Sequence, residues 1–368
     1  MGGAALVERA DSGVRAADRP RRGDRRRRGD RWRGGDRWRR GDRWHGGDLW
    51  RWGRDARGRS AWTRGRVPAS LALLTAGLLA FHRAVPNGVG RLGSLLEAFL
   101  PWLGLAVPVL LVPALVRRSA TALLALLLPA TAWAVLFGGL LLPAGGGPAP
   151  ITAVQHNVSD ENPDPSGTAA ALLRAAPDLV ALEELTPAAL PAYEAALAEE
   201  FPHHAVEGTV GLWSRYPLTD SRRLDIKPTA IGEGWSRGLR AGVRTPRGEI
   251  AVYVAHLPSV RIRPSGFGSG LRDESAGLLG AALAAERLDT VILLGDLNGT
   301  VDDRGLAPLT SRLQAPRRGL AFSWPAALPV SRIDQVLTRS ATVSDVRTLP
   351  ATGSDHLPVA ARITLGAS

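Results

Sequence analysis

The stretch Val291-Ile292-Leu293-Leu294-Gly295-Asp296-Leu297-Asn298 decides how this chain is read. Its four leading apolar residues form the signal of a buried strand. Gly295 follows, then an Asp and an Asn two positions apart. In extended chain, residues i and i+2 point to the same side, so Asp296 and Asn298 leave the strand end as a paired carboxylate and carboxamide. Taken alone, Gly-Asp-x-Asn reads equally well as a turn with Asx capping. Its companions along the chain change that balance.

Thr152 to Val158 is strand-like and carries Asn157 near its end. Leu179-Val180-Ala181-Leu182 runs into Glu183-Glu184, and Ala251 to Ala255 leads to His256. Ser331 to Leu337 holds Asp334 inside a strand-like segment, and Gly353-Ser354-Asp355-His356 opens the last strand. Each apolar run meets a residue that binds metal, moves protons or holds phosphate. Repeated in this order, the pattern points to one site at one end of a sheet. Strands are expected near 151–157, 178–183, 208–213, 250–256, 290–295, 332–338 and 357–364. Helices are expected over Gly167 to Ala176, Pro187 to Glu199 and Ser275 to Arg287, with Pro187 suited to a first turn. Pattern alone supports an α/β or α+β domain of about 220 residues.

The ordered set Gln155-His156-Asn157-Val158, Ala181-Leu182-Glu183-Glu184-Leu185, Trp213-Ser214-Arg215-Tyr216-Pro217-Leu218, Ala255-His256-Leu257, Gly295-Asp296-Leu297-Asn298, Ile333-Asp334-Gln335-Val336 and Ser354-Asp355-His356 resembles the endonuclease/exonuclease/phosphatase superfamily of metal-dependent phosphoesterases. The resemblance spans Ile151 to the C-terminus. It implies an α+β fold, a DNase-I-like four-layer α/β/β/α sandwich. It also implies Mg2+ or Mn2+ as cofactor, with Glu184, Asn157 and Asp355 as its ligand candidates. Asp296 would orient and deprotonate the attacking water. Asn298, Asn157 and His256 would donate to the phosphoryl group, and His356, held by Asp334, would act as general base or phosphate-stabilising cation. Where the family usually has Gln-Glu, this chain has Glu183-Glu184; by position Glu184 is the ligand.

The chemistry suits the residue types. A phosphate ester is an anion, so its attack by a nucleophile needs a divalent cation to offset charge. Magnesium takes oxygen ligands and keeps several waters. An Asp-His pair fixes the imidazole tautomer and raises its basicity. Arg261 and Arg263, close behind His256, are candidates to clamp a second phosphate, and a solvated loop is the equal alternative. Other residues carry blander expectations. His203 and His204 are placed on a surface turn, and His156 facing away from Asn157. Asp302 and Asp303 are read as solvated turn carboxylates, and Glu233 as part of a plain glycine-rich connection.

Upstream, three apolar stretches at about 67–85, 95–116 and 120–142 read as transmembrane helices, which need about 20 apolar residues each. The first reaches that length only with His82 and Arg83 at the interface. Glu97 is placed at an interface rather than given a function. Residues 1–66 hold 21 Arg against 9 acidic residues, a net +12 equal to that of the whole chain. That flank, with Arg117 and Arg118, predicts a cytoplasmic N-terminus at the plasma membrane. Three crossings then put the catalytic domain, 151–368, on the extracytoplasmic side beyond a 144–150 linker. The tail repeats Gly-Asp-Arg-Trp four times, from Gly29, Gly35, Gly41 and (as Gly-Asp-Leu-Trp) Gly47. It lacks an apolar face, so disorder is expected; the repeat also leaves open a start downstream of Met1. The chain has no Cys, which excludes disulfides and thiolate metal sites.

Substrate class follows from charge and anchor. Residues 119–368 carry 21 basic and 24 acidic side chains and a single lysine, Lys227. Nucleases draw most of their affinity from phosphate neutralisation by Lys and Arg, so nucleic acid is disfavoured as partner. A membrane anchor instead concentrates the enzyme at lipid-borne phosphates. The arrangement resembles bacterial membrane-anchored superfamily members associated with teicoplanin resistance, which implies lipid-carrier pyrophosphate as one candidate. An extracytoplasmic nuclease and a non-catalytic membrane scaffold are the rival expectations.

Overall fold

The computed structural model describes residues 63–142 and 151–366. The repeat tail up to residue 62, the expected linker and the last two residues lie outside the described residues.

The apolar region comes first. Helix α1 spans Arg66–Ala80, α2 Leu92–Ala98, α3 Ala106–Val116 and α4 Ala120–Phe137, with short 3-10 turns at 82–84, 100–105 and 138–141. By length and composition, two helical stretches can cross a membrane, Arg66–Ala84 and Ala120–Leu141. The expected middle span is not one straight helix. It is a pair, Leu92–Ala98 and Leu100–Val116, bent by 70°. Pro101 begins the second arm, where the missing N–H and fixed φ of proline end one helix and start another.

Two clusters hold these helices together. At one end Ala69 and Ala72 of α1 pack on Ala114, Ala122 and Leu126. At the other, Leu79, Leu100 and Phe137 meet. Arg66 and the Arg117-Arg118 turn belong to the first end. The second end docks on the rest of the chain. There Glu97 is fully buried, and both its oxygens take charge-assisted bonds from Arg304 at 2.8 Å. His82 Nδ1 adds a contact at 3.1 Å. Trp102 donates to the Val330 carbonyl and stacks on Phe322.

The second region contains two main sheets. Its elements are β1 (Ile151–Asn157), α5 (Pro165–Leu173), β2 (Leu179–Glu183), α6 (Leu190–Leu197), β3 (His203–Glu207), β4 (Val210–Ser214), β5 (Leu218–Arg223), β6 (Gly238–Thr245), β7 (Gly248–Ala255), the hairpin β8 (Ile262–Arg263) and β9 (Gly266–Phe267), α7 (Gly270–Ala285), β10 (Val291–Asp296), α8 (Ala307–Thr310), β11 (Asp334–Arg339), β12 (Ala341–Thr348) and β13 (Val359–Leu365). One sheet has the order β12-β13-β1-β2-β4-β3, the other β11-β10-β7-β6-β5. Two expectations need correction. Pro187 precedes its helix, which begins at Leu190 with Pro191 in its first turn. His203 and His204 sit in edge strand β3, where His204 stacks on Trp213 at 5.8 Å, because a ring on an edge strand gains an aromatic neighbour that a turn would not offer.

Period-two alternation sorts the strand residues into layers. Ala153, Leu179, Ala181, Val252, Val254, Ile292, Leu294 and Val336 fill a core drawn from both sheets. The intervening residues of the first sheet, Val154, Val180 and Leu182, pack with α5 and α6 residues. Those of the second, Ala251, Tyr253, Val291 and Leu293, pack with α7 and α8 residues.

Candidate active site

The same alternation, carried one step further, builds the site. The inter-sheet face that holds Ala153 next presents Gln155 and Asn157. The face of Leu179 and Ala181 ends in Glu183. Val252 and Val254 are followed by His256, and Ile292 and Leu294 by Asp296. Strand β11 starts on the same face with Asp334, then Val336. Strands β1 and β2 run parallel, as do β7 and β10, so their C-terminal ends lie together. The antiparallel strand β11 begins there, with Asp334 directly opposite Asp296. A polar layer thus caps one end of the inter-sheet core.

Gly295 lets β10 close tightly on β7. Its φ is +150°, and a Cβ there would fall 2.0 Å from the Ala255 carbonyl oxygen. Asn298 and Glu184 both have left-handed backbones, φ 46° and 61°. Such conformations cost free energy in non-glycine residues and persist where surrounding structure imposes them.

Asp296 is buried, and its carboxylate is the hub. Oδ1 accepts from the Asn298 backbone N–H at 2.9 Å, and Oδ2 from Asn157 Nδ2 at 3.1 Å and Asn298 Nδ2 at 3.3 Å. His256 Nε2 lies 3.6 Å from Asp296 Oδ2 and 3.7 Å from Glu184 Oε1. Arg237 Nη1 stands 3.1 Å from the other ring nitrogen of His256. Burial, then the Arg237 charge, holds His256 well below the usual imidazole range, so it is neutral at pH 7. His356 behaves oppositely. Burial opposes its charge, but Asp334, hydrogen-bonded to its Nδ1 at 2.8 Å, lifts it to about 10. Asp334 also accepts from Ser323 Oγ at 2.5 Å and Gln155 Nε2 at 2.9 Å. Despite its burial, these donors and the His356 charge hold its carboxyl below the usual range. Asp296 is pushed up by burial, with His356 pulling the other way.

Asn157, Glu184, Asp296, Asn298, Asp355 and His356 all line one cavity of about 960 Å³. Arg261 reaches its wall; Arg263 lies on exposed β8, outside that lining. Asp355 is exposed at the rim, beside Trp324 Nε1 at 3.4 Å. His156 is buried away from the cavity on Thr352, as its alternation with Asn157 predicts. Asp303, read as a solvated carboxylate, is instead fully buried against Arg272 at 2.5 Å. Arg272 also reaches the Asn298 carbonyl at 3.3 Å, so α7 braces the loop that carries Asn298. Long-range pairing overrode the turn pattern there.

Two groupings could hold a cation. Asp296, Asp334 and His356 bring ligand atoms within 4.8 Å of one another. Within it, however, the Asp334–His356 hydrogen bond occupies Nδ1, and a ring held protonated near pH 7 is not a metal ligand. Glu184 offers a better start. Its side chain is 26 % exposed, and its carboxylate faces the cavity with, among the described residues, only the Asp160 N–H at 3.3 Å as a hydrogen-bond donor. With Asn157 and Asp355 on the same wall, the donors are all oxygens, the set a hard divalent ion takes. These residues fit such an ion.

Sequence reasoning gave no role to Gln155, Ser323, Arg237, Arg272 or Ser354. Ser354 Oγ donates to the Asn157 carbonyl at 2.6 Å and accepts from the His356 N–H at 3.0 Å. Gln155 alone carried a local signal, standing two residues before Asn157 on the same face.

Residues 154–356 match the Endonuclease/Exonuclease/phosphatase family. The chain belongs to that family. Endonucleases, exonucleases and phosphatases are hydrolases of phosphoester bonds, and this chain is an enzyme of that class. Solved structures similar to it include D. rerio TDP2 complexed with a single strand DNA product, at 17% identity and TM-score 0.49, over 58% of this chain and 98% of that one. Sphingomyelinase C from Streptomyces griseocarneus matches at 17% and 0.45, over 58% and 99%. An endonuclease/exonuclease/phosphatase from Beutenbergia cavernae matches at 19% and 0.46, over 59% and 72%. No curated protein matches the chain.

Proposed function

We propose that this family member is a membrane-anchored, divalent-metal-dependent phosphoesterase. Its substrate is a lipid-linked or cell-envelope phosphate ester or pyrophosphate, lipid-carrier pyrophosphate among them. One observation carries the reading: the cavity that holds Asp296, Asn298 and His356 is also walled by Ala98 and Phe99, at the bend of the apolar helix pair. Exposed Ile262 and the side chain of Phe267 continue that apolar rim. A substrate with a hydrocarbon tail can keep the tail against this rim while its phosphate reaches Asp296.

Glu184, Asn157 and Asp355 would hold Mg2+ or Mn2+, and the ion when bound offsets charge on the phosphoryl oxygens. Asp296, raised by burial toward the working pH, accepts the proton of the attacking water. Neutral His256, Asn298 and the amide of Asn157 donate to the phosphoryl oxygens as negative charge builds there. His356, held protonated by Asp334, acts as the cation of the site rather than as its base. Arg261 meets the distal part of the substrate at the rim. On this reading the two sheets and their flanking helices make up a four-layer catalytic domain assigned to 151–368.

Three crossings with the catalytic domain extracytoplasmic agree with the packing. Arg66 and the Arg117-Arg118 turn lie at the end of the helical cluster remote from Glu97, Trp102 and the docked domain. Basic flanks stay cytoplasmic. A reporter fused after Leu142 that is active only in the cytoplasm would overturn this topology.

The decisive experiment measures phosphate release by full-length protein in nanodiscs with magnesium or manganese. Undecaprenyl pyrophosphate, a phospholipid and plasmid DNA are compared, with Asp296→Asn as control. Turnover of a lipid phosphate, lost in the variant, is expected. Cleavage of DNA alone would replace this reading with a nuclease.

A further inference from the structure

Behind the active-site wall lies a second, smaller cavity of about 420 Å³ that the proposed chemistry does not use. The extended segment 331–333 separates the two. Ser331 and Ile333 line the active-site cavity, while Arg332 lines the second. Thr300 lines both. The second cavity is also walled by Val135, Leu136 and Leu140 at the end of the third apolar stretch.

Arg332 is only 7 % exposed, and its guanidinium's one hydrogen bond among the described residues runs from Nη1 to the Gly319 carbonyl at 3.2 Å. Asp302, on the same wall, attracts it but makes no ion pair with it. Burial lowers the guanidinium to about 10, so it is still charged at neutral pH. A guanidinium has five N–H donors, and a buried charge is costly unless paired and hydrogen-bonded. Arg317 adds a second, exposed guanidinium. Two arginines against one acid leave the cavity positive. Another part of the wall belongs to a helix whose apolar side chains are open to their surroundings, Val135 by 79 % and Leu136 by 43 %. Positive charge beside a lipid-facing helix matches an anion that carries an acyl tail.

We propose that this cavity binds the headgroup phosphate of an acidic membrane phospholipid, with Arg332 and Arg317 on the phosphate and the acyl chain along Val135 and Leu136. Guanidinium forks match phosphate geometry, and the lipid supplies the acceptors that Arg332 lacks. Because segment 331–333 is a common wall, an occupied second cavity also steadies one side of the active site. The proposal rests on the third apolar stretch being a membrane span, and not on the identity of the substrate.

Full-length protein in neutral detergent with EDTA, which removes any ion held at Glu184, is titrated with short-chain phosphatidylglycerol, short-chain phosphatidylcholine or inorganic phosphate. Binding is read by native mass spectrometry and by melting temperature. One phosphatidylglycerol per chain should bind and raise the melting temperature; phosphatidylcholine should not. Arg332→Gln and Arg317→Glu should each weaken binding by roughly tenfold or more, the loss expected for charge-assisted hydrogen bonds. Arg317 is exposed, so its variant decides if Arg332→Gln fails to fold. Wild-type affinity in Arg317→Glu, or equal binding of phosphatidylcholine, overturns the proposal. Inorganic phosphate binding as tightly as the lipid overturns the lipid assignment in favour of a free anion. None of these outcomes depends on turnover, so a failed substrate assignment leaves the result readable.

Discussion

Two buried charge clusters in the catalytic region are built on opposite rules. On the outer face of the five-stranded sheet, Glu286 takes two bonds from Arg240, at 3.0 and 3.1 Å. It takes one more from Tyr253 Oη at 2.8 Å and one from the Leu288 N–H at 2.9 Å. Arg240 spends a further donor on Asp220 at 2.8 Å. Opposite charges are matched and lone pairs are filled. In the active-site layer, three carboxyls (Asp296, Asp334 and Glu183) crowd around one cation, His356. The Oε1 atoms of Glu183 and Gln155 have no partner there among the described residues. The carboxyls respond accordingly. Burial would raise Glu286, but Arg240 and its other donors pull it down to about 2, whereas burial raises Asp296 and Glu183. A satisfied cluster stabilises the fold; on the function proposed above, an unsatisfied one would keep a proton acceptor poised and leave room for an ion and a substrate.

The sharpest way to break this comparison is Asp296→Asn. Phosphate release should fall by roughly 10²–10⁴-fold, the contribution of a positioned proton acceptor. The melting temperature should hold or rise, because a like charge opposite Asp334 is gone. Activity and stability falling together would show that Asp296 supports the fold, and the contrast would fail.

Glu286→Gln should do the reverse. Leaving Arg240 without its buried anion, with only the exposed Asp220 as counter-charge, costs on the order of 3 kcal/mol, read by thermal or chemical unfolding, with kcat nearly unchanged. The same network sets an acid limit. The folded pKa of Glu286, about 2, lies below its ordinary 4.5. Its stabilisation is therefore complete above pH 4.5 and is lost as pH falls through the folded value. Unfolding curves between pH 5 and 2 should show a steeper loss for wild type than for Glu286→Gln; parallel curves would remove Glu286 from the account.

What the sequence made legible follows from the same physics. Asn157, His256, Asp296 and Asp334 could be found because a period of two carries the apolar pattern directly into the polar layer. The helix break at Phe99 could not, since apolar composition continues across it and several prolines compete to bend the stretch. Strand β5, Leu-Thr-Asp-Ser-Arg-Arg, has four exposed residues and an irregular register, so no apolar alternation marks it. Arg272 and Asp303 look solvated in sequence because their partnership spans 31 positions and exists only after α7 packs.

The smallest predicted effect concerns Glu183, an acid where the resembled family usually has an amide. It is fully buried, its carboxyl's one hydrogen-bond partner among the described residues being Gln155 Nε2 at 2.9 Å, and burial raises that carboxyl well above 4.5. The folded state therefore holds a proton that the unfolded chain releases. With a folded value above the unfolded one, stability is full below pH 4.5 and declines as pH rises toward the folded value. Glu183→Gln removes that liability. Its oxygen can keep the bond from Gln155 Nε2, and its new N–H can reach the unpartnered Gln155 Oε1. Wild type and variant should melt alike near pH 4, and the variant should then pull ahead as pH rises to 8, by roughly 1.4 kcal/mol for each pH unit that wild type loses through its raised carboxyl. A variant less stable at pH 8 would mean that the acid is ionised in the folded protein and pairs with the His356 charge. Glu183 would then belong with the matched cluster, and the boundary between the two kinds of charge site would have to be redrawn through the active-site layer itself.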